Sequence, residues 1–378
     1  MLRVIALSLL IATPALAQAP PPLPLPAYAQ SSAPMDVITF DPPPREANCE
    51  KGHTVQVVEA AALHPRLGSP LPTSSPNNAP FIESDALPLS FAVDAQGRPF
   101  DIRRAEGGRV VAPSDAALAA LASWRFASGA PAMGCKIALT PRRTPIAEAN
   151  RADLFEIIAF ERRNTPALVR ETVSKAGDCG TAPRRSPKTL SFPDLRRFDG
   201  RDLNPAWAAV TYDLDADGTP RNVRVDAQDG DPALADVAAA AIAGSRFQSG
   251  RPVKACYGVF AATPRETPAP PRPALASFER PGDQCDVAKE ALNLPPLKNY
   301  PRAYADRKVA GWAYLRFDVA PWGQIGNVQV LASEPSAAFG AAAQSLLWGA
   351  RPTAPPEGYR GCLVPVIYAI PDPEPIID

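Results

Sequence analysis

The sequence predicts an α+β protein that consists of three tandem copies of one unit, each a small antiparallel sheet packed on a helix. Three observations support this prediction. A β-hairpin pattern occurs three times, an Ala-rich helical pattern follows each hairpin, and the six cysteines form three consecutive pairs of similar spacing. Self-similarity along a chain is the signature of a repeated supersecondary unit.

The N-terminus predicts a secretory signal peptide at residues 1–17. Arg3 precedes an apolar run of about ten residues, and Ala15-Leu16-Ala17 provides the small-x-small pattern that signal peptidase cuts before Gln18. A membrane anchor needs about twenty apolar residues, and this run is shorter. We therefore expect a mature chain that begins near Gln18 in an oxidising compartment, with a Pro-rich linker and arm at residues 18–47.

The hairpin is the first element of each copy. In the third copy, apolar and polar residues alternate over 311–333 on both sides of Trp322-Gly323, which is typical of two strands joined by a tight turn. Similar stretches begin at Pro88 and at Trp207. The turn glycines of the three copies are Gly97, Gly218 and Gly323.

A helix and a last strand complete each copy. Ala-rich segments with larger apolar residues at helical spacing begin at Pro113, Asp231 and Glu334. Short apolar runs that end at a proline follow them, and we expect each run to join the hairpin's sheet. An arginine lies 28 positions after each turn glycine, at Arg125, Arg246 and Arg351. The simplest explanation is a cation that binds the last carbonyls of the helix.

The repeat register also pairs the cysteines. The predicted bridges span 86, 77 and 77 positions, and they are Cys49 to Cys135, Cys179 to Cys256 and Cys285 to Cys362. Six cysteines allow many connectivities, and only the register selects this one. If all six are paired, no thiol remains for nucleophilic chemistry.

A shorter pattern precedes each copy. The segments VITFDP, IIAFERR and LASFERP, at 37–42, 157–163 and 275–281, each place a Phe and an acid after a few apolar residues. We interpret them as one extended arm that occurs three times. For the middle segment, from Ala152 to Arg163, a helix is an equal alternative because its apolar residues also fit the helical period.

The third copy resembles the C-terminal domain of TonB, the bacterial energy transducer. The features that carry the resemblance are Tyr300-Pro301, Gly311 before the first strand, Gly323, Val328 and Val330 in the second strand, Phe339 in the helix, and Arg351-Pro352. The second copy keeps Gly218, Val223, Val225 and SRF at 245–247, and the first keeps Gly97 and WRF at 124–126 but has an insertion at 67–85.

The resemblance implies three tandem TonB C-terminal-like domains. We place them at 48–147, 177–265 and 283–371, with a linker or arm at 148–176, a Pro-rich linker and arm at 266–282, and a tail at 372–378. In the TonB family this domain binds an extended outer-membrane receptor peptide by strand addition, and an N-terminal transmembrane helix couples it to a proton-driven motor.

This chain departs from that scheme in three ways. Its N-terminal segment has the pattern of a cleavable signal peptide, the spacer before its first domain is short, and it contains three such domains in tandem. We therefore expect a periplasmic, non-catalytic protein that binds a protein or peptide of the cell envelope, such as an outer-membrane receptor, or acts as a scaffold. The alternative is an energy transducer that keeps residues 1–17 as an inner-membrane anchor and binds receptor peptides through its last domain.

The resemblance places the partner-binding edge on the last strand of the third copy. The candidate contact residues are Leu363, Val364, Val366, Ile367, Tyr368 and Ile370. Pro365 fits an edge strand because it has no N–H to donate. Each predicted disulfide brings the start of a copy close to the last strand of that copy. We therefore also expect the repeated arms to cover the outer edges of the last strands. A partner would then bind to the faces of the domains.

Other functions are not indicated. The formal net charge is +0, so no global basic surface is available for nucleic acid. The segment DLDADG, at 213–218, begins like a calcium loop but has Arg224 where a bidentate Glu is required, so we expect a hairpin turn. The two histidines, His53 and His64, are expected at the surface. We predict no catalytic residue, cofactor, metal or small-molecule substrate.

Overall fold

The computed structural model describes residues 35–68, 86–105, 114–161, 165–183, 185–285, 299–350, 352–354 and 356–370. The predicted signal peptide, the tail at 372–378, Arg351 and most of the insertion at 67–85 lie outside the described residues. The described part is a mixed α+β structure with several small antiparallel sheets. None of the helices in these ranges is long and apolar enough to cross a membrane.

The first copy contains two sheets. Its elements are β1 (Asp36–Phe40), β2 (Glu46–Asn48), β3 (Thr54–Glu59), β4 (Arg66–Gly68), β5 (Leu87–Val93), β6 (Pro99–Arg104), α1 (Ser114–Ser123), β7 (Arg125–Phe126), β8 (Ala132–Leu139) and β9 (Pro141–Pro145). The larger sheet has the strand order β6-β5-β8-β2-β3-β7, and the smaller one has the order β4-β1-β9.

The second and third copies each have a three-stranded sheet. The second copy contains α2 (Arg151–Glu161), α3 (Ala167–Ser174), β10 (Pro187–Thr189), β11 (Trp207–Leu214), β12 (Pro220–Asp229), α4 (Pro232–Gly244), β13 (Arg246–Phe247) and β14 (Val253–Ala261). The third copy contains α5 (Arg302–Ala305), β15 (Gly311–Val319), β16 (Ile325–Glu334), α6 (Ala337–Trp348) and β17 (Tyr359–Tyr368).

The predicted hairpin, helix and last strand are present in all three copies. The first hairpin strand is central each time, between the second hairpin strand and the last strand, in the orders β6-β5-β8, β12-β11-β14 and β16-β15-β17. Side chains cap the starts of α4 and α6, at Asp231 and Ser336. For example, the Asp231 carboxylate accepts the Ala233 N–H at 2.9 Å at the start of α4, and Pro232 occupies the first turn.

The turn glycine contacts the segment that leaves the helix. The Gly218 carbonyl accepts the Phe247 N–H at 2.9 Å, and Gly218 has a φ of +86°. A Cβ atom at Gly218 would lie 2.0 Å from the Phe247 carbonyl oxygen. Gly97 and Phe126 repeat this arrangement in the first copy. The contact explains why the turn glycine and the helix exit keep a constant spacing, and why glycine is required there.

The copies do not have three separate cores. Buried side chains of the first and third copies form one continuous core, in which Phe91 and Trp124 from the first copy share a cluster with Tyr304 and Phe339 from the third. Backbone contacts also join the two copies, since the Ile102 N–H donates to the Pro335 carbonyl at 2.9 Å. The second copy has a core of its own between its sheet and α4.

Within 148–176, which the sequence predicts to be a linker or arm, the described residues form two packed helices. Helices α2 and α3 cover the face of the second sheet opposite α4, where Phe155 and Ile157 are buried in one cluster with Trp207 and Ala209. The sheet is therefore covered on both faces. The sequence WAAV at the start of β11 is a continuous apolar run, which is the pattern of a strand buried on both sides.

The Pro-rich linker predicted at 266–282 is also packed structure. We call residues 266–278 the Pro-rich strap. The Trp312 indole Nε1–H donates to the Pro270 carbonyl at 2.9 Å, and the Tyr314 hydroxyl donates to the Pro273 carbonyl at 2.7 Å. Phe278 packs edge-on against Tyr314, with ring centroids 5.3 Å apart. An extended proline-rich backbone leaves its carbonyls free, so buried aromatic donors can hold it against the sheet.

The three predicted arms do not share one conformation. The first forms β1, which pairs with β9 from Asp36–Pro145 to Phe40–Pro141. The second forms α2, as its helical alternative predicts, and the third begins with a short 3-10 helix at Leu275–Phe278. A single repeated extended arm is therefore wrong. Each segment contains a Phe, but the surfaces that these rings contact differ: Phe160 stacks on His64 of the first copy, and Phe278 packs on Tyr314 of the third.

Candidate binding surfaces

Three disulfides join the start of each copy to its last strand. They link Cys49 to Cys135, Cys179 to Cys256 and Cys285 to Cys362, the pairs that the repeat register predicts. The second cysteine of each pair lies in β8, β14 or β17. Disulfides of this kind form and persist in an oxidising compartment.

The segment around the first cysteine lies beside the last strand in every copy. In the first copy, Asn48 pairs with Lys136 of β8. The Cys179 N–H donates to the Lys254 carbonyl at 3.2 Å in the second copy. In the third copy, Gln284 and Arg360 exchange two backbone hydrogen bonds of 3.0 and 3.1 Å. The proximity expected from the disulfides is thus observed in all three.

The outer edge of β17 is the surface at which the sequence places a partner. Among the described residues, Gln284 is the backbone partner on this side, and it meets β17 only at Arg360. Pro365 lies opposite Tyr314 in the register with β15. Since Pro365 has no N–H to give to β15, it turns its backbone toward the outer edge, and by strand alternation Leu363 and Ile367 do the same.

The six predicted contact residues divide between two faces. Val364, Val366 and Tyr368 are buried against the core that includes α6. Leu363 and Ile367 project from the opposite face, where Ile367 is 45% exposed, and Ile370 is half-buried after the strand ends. A strand added at this edge would therefore meet the side chains of Leu363 and Ile367, while the buried members hold β17 in place.

Arginines bind helix carbonyls in the first two copies, as predicted. The Arg125 Nη1 donates to the Trp124 carbonyl at 2.7 Å and to the Ser123 carbonyl at 3.3 Å. The Arg246 Nη1 donates to the Ser245 and Ala243 carbonyls at 2.6 and 3.0 Å. Both arginines thus satisfy carbonyls that the end of a helix leaves without a partner. Arg351 lies outside the described residues.

The segment DLDADG forms the predicted hairpin turn. The Gly218 N–H donates to the Asp215 carbonyl at 3.1 Å, and the Asp215 N–H donates to the Thr219 carbonyl at 3.1 Å. The Asp215 carboxylate pairs with the Arg221 Nε at 2.7 Å. These contacts use the turn's polar groups to close the hairpin.

A polar cluster beside the turn was not predicted. The Asp213 carboxylate accepts the Asn222 side-chain N–H at 2.8 Å and the Ala255 N–H at 3.0 Å, and these bonds, led by that from Asn222, lower its pKa. The third copy repeats the arrangement with Asp318, Asn327 and Gly361. The signal in the sequence is an Asp five positions before the turn glycine and an Asn four positions after it. The cluster ties the hairpin to the last strand.

His64 does not lie at the surface as expected. Its side chain is 13% exposed and stacks on Phe160, with ring centroids 3.8 Å apart. The His64 Nδ1 lies 2.9 Å from the Glu156 Oε1. Burial, followed by nearby arginines, lowers the pKa of His64, and burial raises the pKa of Glu156 to about 7. The surface prediction is wrong because α2, interpreted as a linker, packs over this histidine; His53 is exposed as expected.

Neither models of known protein families nor curated protein sequences match this chain. The resemblance to the TonB C-terminal domain therefore depends on the sequence features described above. The structure also corrects the expectation that the arms cover the last-strand edges. In the first copy the arm β1 pairs with β4 and β9, and it is β2 that flanks β8. Among the described residues, the backbone partner of β17 on its outer side is Gln284, which meets the strand at Arg360.

Proposed function

We propose that this protein is an exported, non-catalytic binding or scaffold protein built from three TonB C-terminal-like units, and that it binds an extended protein or peptide segment of the cell envelope by strand addition at the outer edge of β17. The observation that supports the proposal most directly is the position of Pro365 opposite Tyr314, because strand alternation then directs the backbone groups of Leu363 and Ile367 outward, beyond the Gln284 contact. Main-chain hydrogen bonds then provide affinity, and alternate side chains provide selectivity.

Binding through a rigid edge fits the way the third copy is held. One face of its sheet packs on α6 and the other face is covered by the Pro-rich strap. The disulfide between Cys285 and Cys362 anchors the start of β17. A strand fixed on three sides loses little conformational freedom when it accepts a partner, and pre-organisation of this kind favours binding.

The proposed location is the periplasm, after cleavage of the signal peptide near Ala17 and Gln18. Three disulfides support an oxidising compartment, and the N-terminal pattern supports export. N-terminal sequencing of the exported protein distinguishes this proposal from the energy-transducer alternative. A mature chain that begins near Gln18 supports the periplasmic proposal, whereas retention of residues 1–17 in the inner membrane supports the energy-transducer alternative.

Peptide titration tests strand addition directly. We expect an extended peptide with alternating apolar residues to slow amide hydrogen exchange at Leu363 and Ile367 in the full chain under oxidising conditions. The matched control is the same peptide with every backbone nitrogen methylated, because it keeps the side chains but has no N–H to pair with the edge. Equal protection by both peptides, or protection by neither, would contradict strand addition.

A further inference from the structure

A cleft in the second copy lies between α3 with the loop that follows it and the start of β14. Its volume is about 790 Å³, which is within the usual range for a small-ligand site. The floor is apolar and aromatic, and it includes Tyr212, Phe247 and Tyr257. Tyr212 and Phe247 stack with ring centroids 6.0 Å apart, and the Cys179–Cys256 disulfide forms part of the wall.

The charged groups around this cleft are mainly cations. Arg170, Lys175 and Arg185 line it, and Glu171 is the acidic residue among the lining side chains. Arg170 and Lys175 are exposed at the rim, whereas Arg185 is half-buried. An aromatic floor below several cations matches a ligand with a negative group on an apolar body.

Arg185 provides a buried donor without a partner. Its Nη1 donates to the Asp215 carbonyl at 2.7 Å, which fixes the guanidinium in place. Its Nη2 is buried and has no hydrogen-bond partner in the part of the chain that the structure describes. The Asp215 Oδ2 pairs with the Arg221 Nε, and the Asp215 Oδ1 is likewise buried without a hydrogen-bond partner among the described residues, so the carboxylate does not satisfy the Arg185 Nη2. A buried guanidinium N–H without a partner costs free energy, so a shift of the Arg185 side chain that brings the Nη2 from its place beside Gly250 to a ligand oxygen in the cleft would remove that cost.

We propose that this cleft binds a ligand that carries a carboxylate on an apolar or aromatic body. Arg185 and Lys175 would hold the carboxylate, and the rings of Tyr212 and Phe247 would contact the body. A free small acid and the C-terminus of a peptide both have this chemistry. The cleft does not involve β17, so the inference is independent of the proposed function.

Isothermal titration of the full, oxidised chain tests this inference with two matched pairs of probes. One pair is 4-phenylbutyrate and 4-phenylbutanamide, and the other is acetyl-Leu-Phe with a free or an amidated C-terminus. We expect each acid to bind about tenfold more tightly than its amide, because a charge-assisted hydrogen bond is lost in the amide. Preference for one acid over the other identifies the source of the carboxylate. No binding by either acid, or equal binding of acid and amide, would overturn the inference.

Substitutions locate the site. Lys175→Gln and Arg185→Gln should each weaken binding of the acids by about tenfold and leave the amides unchanged. Arg224→Gln is the matched control, because Arg224 is an exposed arginine of the same copy that does not line the cleft. Lys175 is exposed, so its variant tests the site without disturbing packing. Equal acid affinity in the Lys175 variant and the wild type would place the ligand elsewhere.

Discussion

The Pro-rich strap should be held against the third sheet by two aromatic donors, and this can be measured. Trp312→Phe keeps an aromatic ring but removes the N–H that donates to Pro270 at 2.9 Å, and Tyr314→Phe removes the hydroxyl that donates to Pro273 at 2.7 Å. Tyr314→Phe removes one hydrogen bond and should lower the free energy of unfolding by about 1 kcal/mol. Trp312→Phe should lower it by about 2 kcal/mol, because the smaller ring also leaves a cavity at a buried side chain. The double variant should lose about 3 kcal/mol, apart from an interaction energy of about 0.5 kcal/mol between the two rings, which are 5.1 Å apart.

Urea unfolding of the oxidised chain provides the assay. The midpoint should fall at an unchanged slope, since the variants do not alter the surface that unfolding exposes. Trp322→Phe is the control, because Trp322 is 76% exposed at the hairpin turn and its indole N–H bonds to the side chain of Gln324. Its effect should stay within about 0.5 kcal/mol. If Trp312→Phe has as small an effect as the control, the strap is not held by these bonds.

Three further predictions concern the turn glycines, the buried pair of His64 and Glu156, and the disulfides. Gly218→Ala should cost several kcal/mol in thermal or urea unfolding, because its Cβ would lie 2.0 Å from a backbone oxygen, whereas Gly129→Ala has open space and should be nearly neutral. The folded-state pKa of Glu156 is raised to about 7, so its contribution to stability is lost as pH rises from about 4.5 through 7. Glu156→Gln should therefore stabilise the chain more at pH 8 than at pH 5, by up to about 3 kcal/mol, and an equal effect at both values would contradict the assignment. Reduction of all three disulfides should lower the unfolding midpoint, since each closes a loop of 77 or more positions, and an unchanged midpoint would contradict their role.

The repeated elements were predictable from the sequence because their signals are local. A glycine turn between alternating residues, an Ala-rich helical segment and an apolar run that starts at a cysteine each specify an element without reference to the rest of the chain. The cysteine spacing then relates the copies. Alternation also predicts that Val364 and Val366 share a face, and both are buried.

The packing between elements could not be predicted in the same way. The periodicity of apolar residues did not separate a helix from an extended segment for α2. Composition indicated that the Pro-rich strap is extended, but it did not indicate that Trp312 and Tyr314 bind the strap. The shared core of the first and third copies depends on contacts between residues far apart in the sequence. The continuous apolar run at the start of β11 was the available signal for a sheet covered on both faces.

The cleft of the second copy has no local signature either. Arg185, Lys175 and Tyr212 are brought together by the packing of α3 and its following loop against the sheet. Charged side chains in a predicted linker are normally interpreted as a solvated surface. Their role at a cleft follows only from the position of α3, which the linker interpretation of residues 148–176 did not include.

The proposed function depends most directly on binding of a cell-envelope partner at the edge of β17. Replacing Ile367 with photoreactive benzoylphenylalanine in the exported protein tests it, with Val330 as the matched position. Val330 is 40% exposed on β16, at the opposite edge of the same sheet, and Ile367 is 45% exposed. If a partner binds at this edge, irradiation gives a discrete protein adduct from position 367 and none from position 330. No adduct from position 367, or the same adduct from both positions, would contradict it.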